Sequence, residues 1–334
     1  MIAATRRKTN LALGLLLPLA VLTGLAANTV GVDLAVDVTI LHAVVAGAIL
    51  LLSPWKSAVV RRGLGRRRPA RWASLALLVV VLITLASGLT HATDLTDRLG
   101  PLTIMQVHVG GGFVALALVI VHYRSHPVRP RTADLERRAF LSAVGLGGVS
   151  VATWGAWEAM LGLARAPGAQ RRFTGSHERS SYDPSGMPST VWLDDRTPSI
   201  DPVSWHVDIG GRATTLADLA ALPQDDVVAV LDCTGGWYSE QTWTGVRLDR
   251  LIEVGGHRSI EVHSVTGYSI RFPARDLAKL WLVTAAGGAP LRPGHGAPVR
   301  LVAPDRRGFW WVKWVDRVST SDVPWWLQSP FPLT

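Results

Sequence analysis

The chain contains a single cysteine, Cys233, among 334 residues. One thiol cannot close an internal disulfide, so the sequence excludes a fold that depends on disulfides. Three roles remain for this residue: an apolar filler, a nucleophile or a metal ligand. Cys233 follows the apolar run "VVAVLD" and precedes "TGG". It is therefore predicted to end a buried strand, at a loop whose glycines let a large ligand approach the backbone.

Acidic residues are absent from residues 54–71, a segment that contains seven lysines and arginines. Three more cations precede residue 9, and residues 124–138 contain five cations against two acids. The net charge of +9 comes from these segments, because residues 164–334 contain 18 cations and 18 acids. Such a distribution reports membrane topology by the positive-inside rule, and it argues against a nucleic-acid partner.

Five apolar runs flank the basic segments, each close to the roughly 20 residues that a helix needs to cross a bilayer. They are Leu11 to Val30, Val38 to Ser53, Trp72 to Thr90, Thr103 to Val121 and Phe140 to Leu163. Residues 1–163 are therefore predicted to form an all-α bundle of five transmembrane helices in contact with lipid. The charges place the N-terminus and both basic loops in the cytoplasm and the C-terminal domain outside a bacterial-type cytoplasmic membrane.

Residues 164–334 contain short alternating runs between clusters of Pro, Gly, Ser and Asp. Strands are predicted over seven runs: 205–209, 227–231, 260–265, 268–272, 280–284, 299–302 and 309–318. Thr215 and Asp218 form a capping box that predicts a helix over 216–222, and a second helix is predicted over 246–254. This domain is therefore predicted to be α+β and rich in strands.

The fifth apolar run begins with "ERRAFLSAVGLGG", in which Arg137 and Arg138 precede Phe140 and Leu141. The segment resembles a twin-arginine export signal. That resemblance implies that the outer domain crosses the membrane already folded around a cofactor. The alternative is that two arginines flank a helix on its cytoplasmic side.

Histidines within the apolar runs are functional candidates, because ionisable residues are costly inside a membrane. His42 and His108 lie near the predicted outer boundary, His91 closes the third run, and His122 lies at the inner end of the fourth. His108 and His122 are 14 residues apart, which places them on nearly one helix face and roughly 21 Å apart. The alternative role is hydrogen bonding between helices.

This pattern resembles the membrane cytochrome b subunits of respiratory enzymes, in which histidines on facing helices hold haem b. The resemblance implies one haem between His42 and His108, with His91 as a competing ligand or a propionate contact. A second haem at His122 would lack a matching ligand, because the position 14 residues after His42 is Lys56.

A cationic set lies in the segment "GHGAPVRLVAPDRRGFWWVKWV", residues 294–315. Its members lie among glycines and apolar strand residues and suit a phosphate group: His295, Arg300, Arg306, Arg307 and Lys313.

Together, "LDCTGGW", "GHGAPVRLV" and "GFWWVKWV" resemble the molybdopterin-binding domain of the sulfite oxidase family. The resemblance covers about 172–318 and implies that Cys233 binds molybdenum beside the dithiolene of one molybdopterin. It also implies contacts to the pterin and its phosphate from His295, Arg300, Trp311 and Lys313. Further cofactor contacts are implied for a loop at 172–178, with Thr174, Ser176 and His177, and more loosely for Thr266 and Tyr268.

Two departures from the family bear on the substrate and the assembly. Sulfite oxidases have an anion-binding arginine shortly after the cysteine, but Trp237 and Tyr238 stand in that stretch here. A tryptophan there is similar to the periplasmic methionine-sulfoxide reductase branch and makes both residues candidate catalytic groups. The sequence ends at Thr334, so the C-terminal dimerisation domain of the family is expected to be missing.

These observations predict a molybdenum oxidoreductase that performs oxo transfer outside the membrane and exchanges electrons through haem b. A small-molecule oxo-donor and a quinone or another electron carrier are the predicted partners, with reduction of a sulfoxide or N-oxide favoured. One alternative is a sulfite-type dehydrogenase that passes electrons to the respiratory chain. Another is a haem-containing anchor whose outer domain binds a partner without catalysis. A transporter is disfavoured, since no inverted repeat is visible.

Overall fold

The computed structural model describes residues 2–29, 32–64, 71–125, 127–128, 131–135, 137–190 and 196–328. The chain divides into two compact units. The helical unit comprises residues 1–28 and 33–177, and the strand-rich unit comprises residues 29–32 and 178–334.

Five long helices dominate the helical unit: α1 (Ile2–Thr29), α2 (Val32–Leu64), α3 (Arg71–Thr93), α4 (Ile104–Ser125) and α5 (Arg137–Leu163). Each is long and apolar enough to cross a membrane. Many of their large apolar side chains are exposed, as expected for surfaces that contact lipid. The five predicted spans are confirmed as helices, and α2 extends well beyond the predicted 38–53. The basic residues Arg66, Arg67, Arg68 and Arg129 lie outside the described residues.

Short elements connect the helices and lead out of the unit. A two-strand hairpin joins α3 to α4, with β1 (Arg98–Leu99) antiparallel to β2 (Leu102–Thr103). Helical turns cover Thr132–Leu135 and Pro167–Gln170, and the two-residue strand β3 (His177–Glu178) lies where the chain passes to the second unit. Gly168 packs so closely on α3 that an added Cβ would lie 2.0 Å from the Ala92 carbonyl oxygen.

The first sheet of the strand-rich unit carries the single cysteine. Its antiparallel strands are β6 (Asp225–Cys233), β7 (Trp237–Arg247), β10 (Trp281–Ala286), β11 (Ala289–Pro290) and β12 (Arg300–Val302). The central pair is β7 and β10, with β6 beside β7 and both β11 and β12 beside β10. Gly245 of β7 has no room for a side chain, because a Cβ would lie 2.1 Å from the Leu282 carbonyl oxygen.

The second sheet has the order β5-β4-β13-β8-β9. Its strands are β4 (His206–Ile209), β5 (Arg212–Thr215), β8 (Ser259–Ser264), β9 (Ser269–Pro273) and β13 (Val315–Ser321). Only the pairing of β13 with β4 is parallel among these described strands. Buried apolar side chains from both sheets form one core, which includes Trp243, Phe272, Leu282 and Val318.

One short helix is confirmed where the capping box predicts it. α6 (Leu216–Ala221) begins after Thr215, whose hydroxyl accepts from the Asp218 N–H while the Asp218 carboxylate accepts from the Thr215 N–H. The unit is therefore α+β with strands dominant, as predicted. Other short helical turns cover Leu248–Arg250, Ala274–Lys279, Pro293–His295 and Gly308–Trp310.

Two predicted elements are wrong. Residues 246–254 do not form a helix, because Val246 and Arg247 complete β7, and Val246 pairs with Leu282. Residues 309–318 do not form one strand. A helical turn occupies Gly308–Trp310 and Trp314 has a left-handed φ of 52°, so the strand starts only at Val315.

No strand was predicted at β7, the longest described strand of the unit at 11 residues. Ser239 and Gln241 lie on its buried face, so the strand lacks an alternating apolar pattern. The Ser239 hydroxyl and the Gln241 amide both donate to the Ser180 carbonyl, which satisfies these buried groups.

Candidate active site

The hairpin of β6 and β7 holds Cys233 at its turn. Cys233 pairs with Trp237, and the Gly236 N–H donates to the Cys233 carbonyl at 3.1 Å. Gly236 has a φ of 88°, a left-handed conformation that favours glycine. The Gly235 N–H points at the Cys233 Sγ at 3.3 Å. The tight turn therefore holds the sulfur against the backbone of the turn, at the end of β6.

A buried ion pair fixes the base of this turn. Arg307 donates to the Asp232 carboxylate at 2.5 Å, and both side chains are almost fully buried. The next residue, Gly308, packs directly on the cysteine backbone. A Cβ there would lie 2.9 Å from the Cys233 Cα and 3.1 Å from the Asp232 carbonyl oxygen. The position of Cys233 thus depends on a segment 75 residues later in the chain.

Substituting Gly308 by alanine should displace this turn, because the two nearest atoms belong to the backbone. We expect the free energy of unfolding to fall by about 1–3 kcal/mol, the usual cost of overpacking. The amount of metal bound per protein should fall as well. Calorimetry of the full chain and metal analysis would measure both. Gly256→Ala is the matched control, since a Cβ there meets no described atom within 4 Å. Equal behaviour of the two variants would contradict the packing argument.

Two cations, the buried Arg300 and the half-buried Lys313, lie near Cys233 without a carboxylate partner among the described residues. Arg300 is 1% exposed and donates only to the main-chain carbonyls of His295 and Trp311, and its Nε is buried without a hydrogen bond. Lys313 donates to the carbonyls of Thr190 and Gly294. A buried cation is stable only when an opposite charge or hydrogen bonds compensate it. Carbonyl groups compensate Arg300 and Lys313 only in part, which makes both residues candidates to bind an anion.

The pKa values of these groups report the same missing charge. Burial lowers the pKa of Arg300 to about 9, while the Cys233 thiolate acts to raise it. Burial and the neighbouring Arg300 lower the pKa of Lys313 to about 7. Burial and Arg300 also lower the pKa of His295 to about 4, although its ring bonds to the Met187 carbonyl. His295 is therefore neutral at pH 7.

The Cys233 thiol is held mostly protonated by its surroundings. Burial raises its pKa, and the opposing effects of the Gly235 N–H, the Thr190 hydroxyl, Arg307 and Lys313 are smaller. A soft metal ion would displace this proton, because coordination deprotonates a thiol. Residues 2–328, in the parts that the structure describes, contain no cluster of three or more metal-ligating side chains. A metal at Cys233 would thus need most of its ligands from a cofactor.

The glycine at 296 lets the cationic groups meet. Gly296 has a φ of 103°, and a Cβ there would lie 2.9 Å from the Arg300 Cβ and 3.1 Å from the Lys313 Cβ. Trp311 lies on the same side, because the Arg300 guanidinium is 5.6 Å from its ring and 4.9 Å from the Trp243 ring. His295, Arg300, Trp311 and Lys313 are therefore brought together, and Arg300 and Lys313 also interact electrostatically with Cys233.

Arg306 and Arg307 behave differently from the other predicted cations. Arg306 forms an ion pair with Asp276 and Arg307 with Asp232. Carboxylates already neutralise both, so the prediction that they serve an anion is not supported. Sequence patterns do not show which acid each arginine meets.

Trp237 forms the wall beside the cysteine. Its indole N–H donates to the Thr190 hydroxyl at 3.2 Å, and a Cβ built on Gly235 would lie 3.4 Å from the Cys233 Sγ and 3.5 Å from the Trp237 Nε1. Tyr238 pairs with Asp232 instead. Successive strand side chains point to opposite faces, so Tyr238 lies on the other face of the hairpin. Thr190 is a neighbour that the sequence analysis missed.

Five predicted cofactor residues remain. The Thr266 hydroxyl is 3.2 Å from that of Ser264, in the turn between β8 and β9. Tyr268 reaches the Phe309 carbonyl, next to Gly308. Thr174, Ser176 and His177 belong to the helical unit, where the Arg172 N–H donates to the Ser176 carbonyl.

His42 and His108 face each other in the helical unit, with ring centroids 5.9 Å apart and planes at 85°. Each ring uses Nδ1 to reach a carbonyl of the preceding helix, Ala20 for His42 at 3.0 Å and Thr84 for His108 at 2.9 Å. A carbonyl only accepts, so both Nδ1 atoms carry protons. Among the described residues, neither Nε2 has a hydrogen-bond partner. Two neutral imidazoles thus present their lone pairs within the bundle.

The other two histidines of the helices are engaged differently. The His91 Nε2 is 2.9 Å from the Gly175 carbonyl, and its ring lies 4.8 Å from that of His177. His177 in turn reaches the His91 carbonyl and the Asp94 carboxylate. The His122 Nδ1 lies 2.9 Å from the Ser74 hydroxyl.

Comparison with known proteins identifies the strand-rich unit. The family model "Oxidoreductase molybdopterin binding domain" matches residues 194–326. Mitochondrial sulfite oxidase of Rattus norvegicus is 29% identical, over 36% of this chain and 30% of that protein. The chain therefore spans under a third of the length of these sulfite oxidases. The oxidoreductase YuiH of Bacillus subtilis is 28% identical, over 39% of this chain and 74% of that protein.

Two further matches have lower identity. YedZ1 of Azospira oryzae, a proposed protein-methionine-sulfoxide reductase subunit, is 25% identical over 52% of this chain and 76% of that protein. The crystal structure of the sulfane dehydrogenase SoxCD from Paracoccus pantotrophus is 24% identical over 38% of this chain and 40% of that chain, with a TM-score of 0.36. Residues 194–326 of this protein therefore match a molybdopterin-binding oxidoreductase domain and are similar to part of the sulfite oxidases.

Proposed function

We propose that the protein is a membrane-anchored molybdenum oxidoreductase that reduces a neutral oxo-donor, a sulfoxide or an N-oxide. Two electrons and two protons convert such a substrate into the sulfide or amine and water. The carrying observation is that Trp237, rather than an arginine, stands beside Cys233. Among the described residues, the buried Arg300 and the half-buried Lys313 lack a carboxylate partner and suit the cofactor's phosphate instead.

The residues present fit a molybdopterin cofactor. Molybdenum bound by Cys233 would supply two-electron oxo transfer, and its dithiolene would supply the ligands that the protein lacks. The Arg300 Nε is a buried donor without a partner among the described residues, which the cofactor's phosphate would satisfy. Neutral His295 and Trp311 would flank the pterin. Thr266, Thr174, Ser176 and His177 remain proposed contacts that rest on the resemblance alone.

The wall at Trp237 favours an uncharged substrate. An indole offers an apolar face and one N–H donor, here directed at Thr190. Residues 164–334 are also neutral overall, with 18 cations and 18 acids, so no net positive field draws anions in. Tyr238 stays a candidate catalytic group, although its strand position directs it away from Trp237.

Haem b in the helical unit would exchange electrons with the molybdenum site. His42 and His108 fit it, because each donates Nδ1–H to a carbonyl and keeps Nε2 for a metal, the usual arrangement of a ligating histidine. His91 fits less well, since Gly175 engages its Nε2.

The membrane assignment rests on α1 to α5 and on the loop charges. We propose residues 1–163 as the membrane domain and residues 164–334 as an extracytoplasmic catalytic domain, with the N-terminus in the cytoplasm. Lipid surrounds the helices, and a quinone or another electron carrier is the redox partner. The Arg137–Arg138 pair begins α5 and would serve export of the folded domain.

Substrate charge provides the test of this function. Purified protein should reduce a neutral sulfoxide or N-oxide faster than it oxidises sulfite, because Trp237 stands where an anion-binding arginine would be needed. Both rates should be measured in parallel, with reduced viologen as donor and ferricyanide as acceptor. The control is the ionic-strength dependence of each rate, which should be flat for the neutral substrate.

The same assay tests the second candidate, a sulfite-type dehydrogenase. The 29% identity to sulfite oxidase favours it. Faster sulfite oxidation that declines as salt is added would establish this function and refute the reductase.

A further inference from the structure

The hairpins α1–α2 and α3–α4 repeat one set of contacts around their outer histidines. His42 of α2 bonds to the Ala20 carbonyl of α1, and His108 of α4 bonds to the Thr84 carbonyl of α3. Four residues after each carbonyl comes a glycine that faces the imidazole. A Cβ on Gly24 would lie 3.1 Å from the His42 Cε1, and one on Gly88 would lie 2.9 Å from the His108 Cε1.

A second level of contacts follows the same spacing at the inner ends. The Lys56 Nζ donates to the Asn10 side chain at 2.9 Å, and the His122 Nδ1 lies 2.9 Å from the Ser74 hydroxyl. Lys56 is 14 residues after His42, and His122 is 14 residues after His108. Asn10 and Ser74 each precede their helix's histidine-bonding carbonyl by ten residues.

The repeat is also visible in the amino-acid sequences of α1 and α3. The stretch "NLALGLLLPLAVLTGL" from Asn10 aligns without gaps with "SLALLVVVLITLASGL" from Ser74. Equivalent helices run in the same direction, so the repeats are parallel and related by an axis along the membrane normal. His42 and His108 face each other across this axis at 5.9 Å between ring centroids.

The repeat also fixes where Lys56 and His122 stand. Fourteen residues correspond to roughly 21 Å of rise and about 40° short of four full turns. Ideal helix geometry therefore places each inner residue nearly below its outer histidine, beside the same axis at the opposite end of the bundle, with Pro54 lying within α2 between His42 and Lys56. Lys56 takes the position that a histidine occupies in the other repeat.

We infer that Lys56 and His122 form a binding site for the ring of a quinone at the inner end of the bundle. The Lys56 nitrogen donates to the Asn10 side chain, and a lysine ammonium group has no lone pair for a metal. That excludes the paired ligation available to the outer histidines. A quinone ring has two carbonyl oxygens on opposite sides, which match two donors on opposite sides of the axis. Its apolar tail would lie in lipid between exposed helix faces.

This inference rests on the proposed electron transfer through the membrane and specifies where the carrier binds. The haem ligands His42 and His108 and the quinone-binding residues Lys56 and His122 would then lie at different ends of one bundle. Changes at the inner pair should leave the outer ligands intact, and this separates a failed site from a failed haem assignment.

The test is equilibrium binding of menadione to the purified full-length holoprotein in detergent, measured by calorimetry. Lys56→Met and His122→Phe should each raise the Kd about tenfold, the cost of one hydrogen bond to a charged or polar partner. Lys56→Arg should restore binding to within a few-fold. Lys8→Met is the matched control, because Lys8 is an exposed lysine at the same end of α1. The dithionite-reduced haem spectrum should be the same in all variants.

Three outcomes would overturn the site. Unchanged binding in both Lys56→Met and His122→Phe would show that menadione binds elsewhere. Two haems per chain, one of them lost in His122→Phe, would show that His122 holds iron instead. Displacement of menadione by anionic phospholipid added to neutral detergent would show that the inner pair takes a lipid phosphate. A chain without haem whose menadione affinity still depends on Lys56 would keep the site and refute the haem proposal.

Discussion

The Cys233→Ser variant should lose more than about 100-fold in turnover. Removing a residue that only hydrogen-bonds to a metal ligand costs about 10- to 100-fold, and loss of the ligand itself should cost more. Serine offers a hard hydroxyl where a soft thiolate is needed, so molybdenum should be largely absent. The haem spectrum should be unchanged, since Cys233 lies in the strand-rich unit and His42 and His108 lie in the helical unit. Turnover with reduced viologen and the molybdenum content per protein are the measurements.

Cys233→Ala separates a ligand from a buried filler. The thiol is partly buried at the end of β6, so alanine would cost packing but not chemistry if the sulfur were inert. We expect the Cys233→Ala and Cys233→Ser variants to be equally inactive. Their unfolding temperatures should be close to that of the parent protein without cofactor. Full molybdenum content in either variant would show that the cofactor is held without the cysteine.

The architecture of both units was predictable where the sequence pattern and the environment agree. Uninterrupted apolar runs made α1 to α5 predictable, because a bilayer requires them. The capping box at Thr215 and Asp218 predicted α6, since both of its hydrogen bonds are local. The strand that ends at Cys233 was predicted from its apolar run, although β6 begins two residues earlier than expected.

The failures share a physical cause, which is contact between residues far apart in the chain. β7 was missed because its buried face carries Ser239 and Gln241, whose hydrogen bonds to Ser180 bridge about 60 residues. Arg307 was assigned to an anion site, but it pairs with Asp232, 75 residues away. Neither partner can be identified from local sequence.

The candidate site was predictable mainly through residue types that have few other uses. A lone cysteine beside glycines and buried basic residues near tryptophans suggested where a metal and an anion would meet. The structure adds which cations are unpaired, Arg300 and Lys313, and which side of the hairpin Trp237 takes. It also adds the carbonyls of Ala20 and Thr84, which orient the membrane histidines and leave no trace in a pattern of side chains.

His108→Ala should remove most of the reduced-haem absorbance while viologen-driven turnover of the outer domain continues. The Nε2 atoms of His108 and His42 are the two proposed axial ligands of the haem iron. Loss of the His108 ring would leave the iron bound by His42 alone. The matching substitution, His42→Ala, should have the same effect, because the two rings hold equivalent positions on α4 and α2. Dithionite difference spectra and haem extraction measure the outcome, and electron transfer from a quinol should cease.

His91→Ala is the control that decides between the candidate ligands. Gly175 engages the His91 Nε2 and His177 packs on its ring, so His91 is already satisfied by protein groups. We therefore expect this variant to keep the reduced-haem spectrum, at the cost only of a weaker connection between α3 and residues 175–177. The reverse result, a spectrum lost in His91→Ala and kept in His108→Ala, would move the iron to His91. In that case the hydrogen bonds from His42 and His108 to Ala20 and Thr84 would serve helix packing alone.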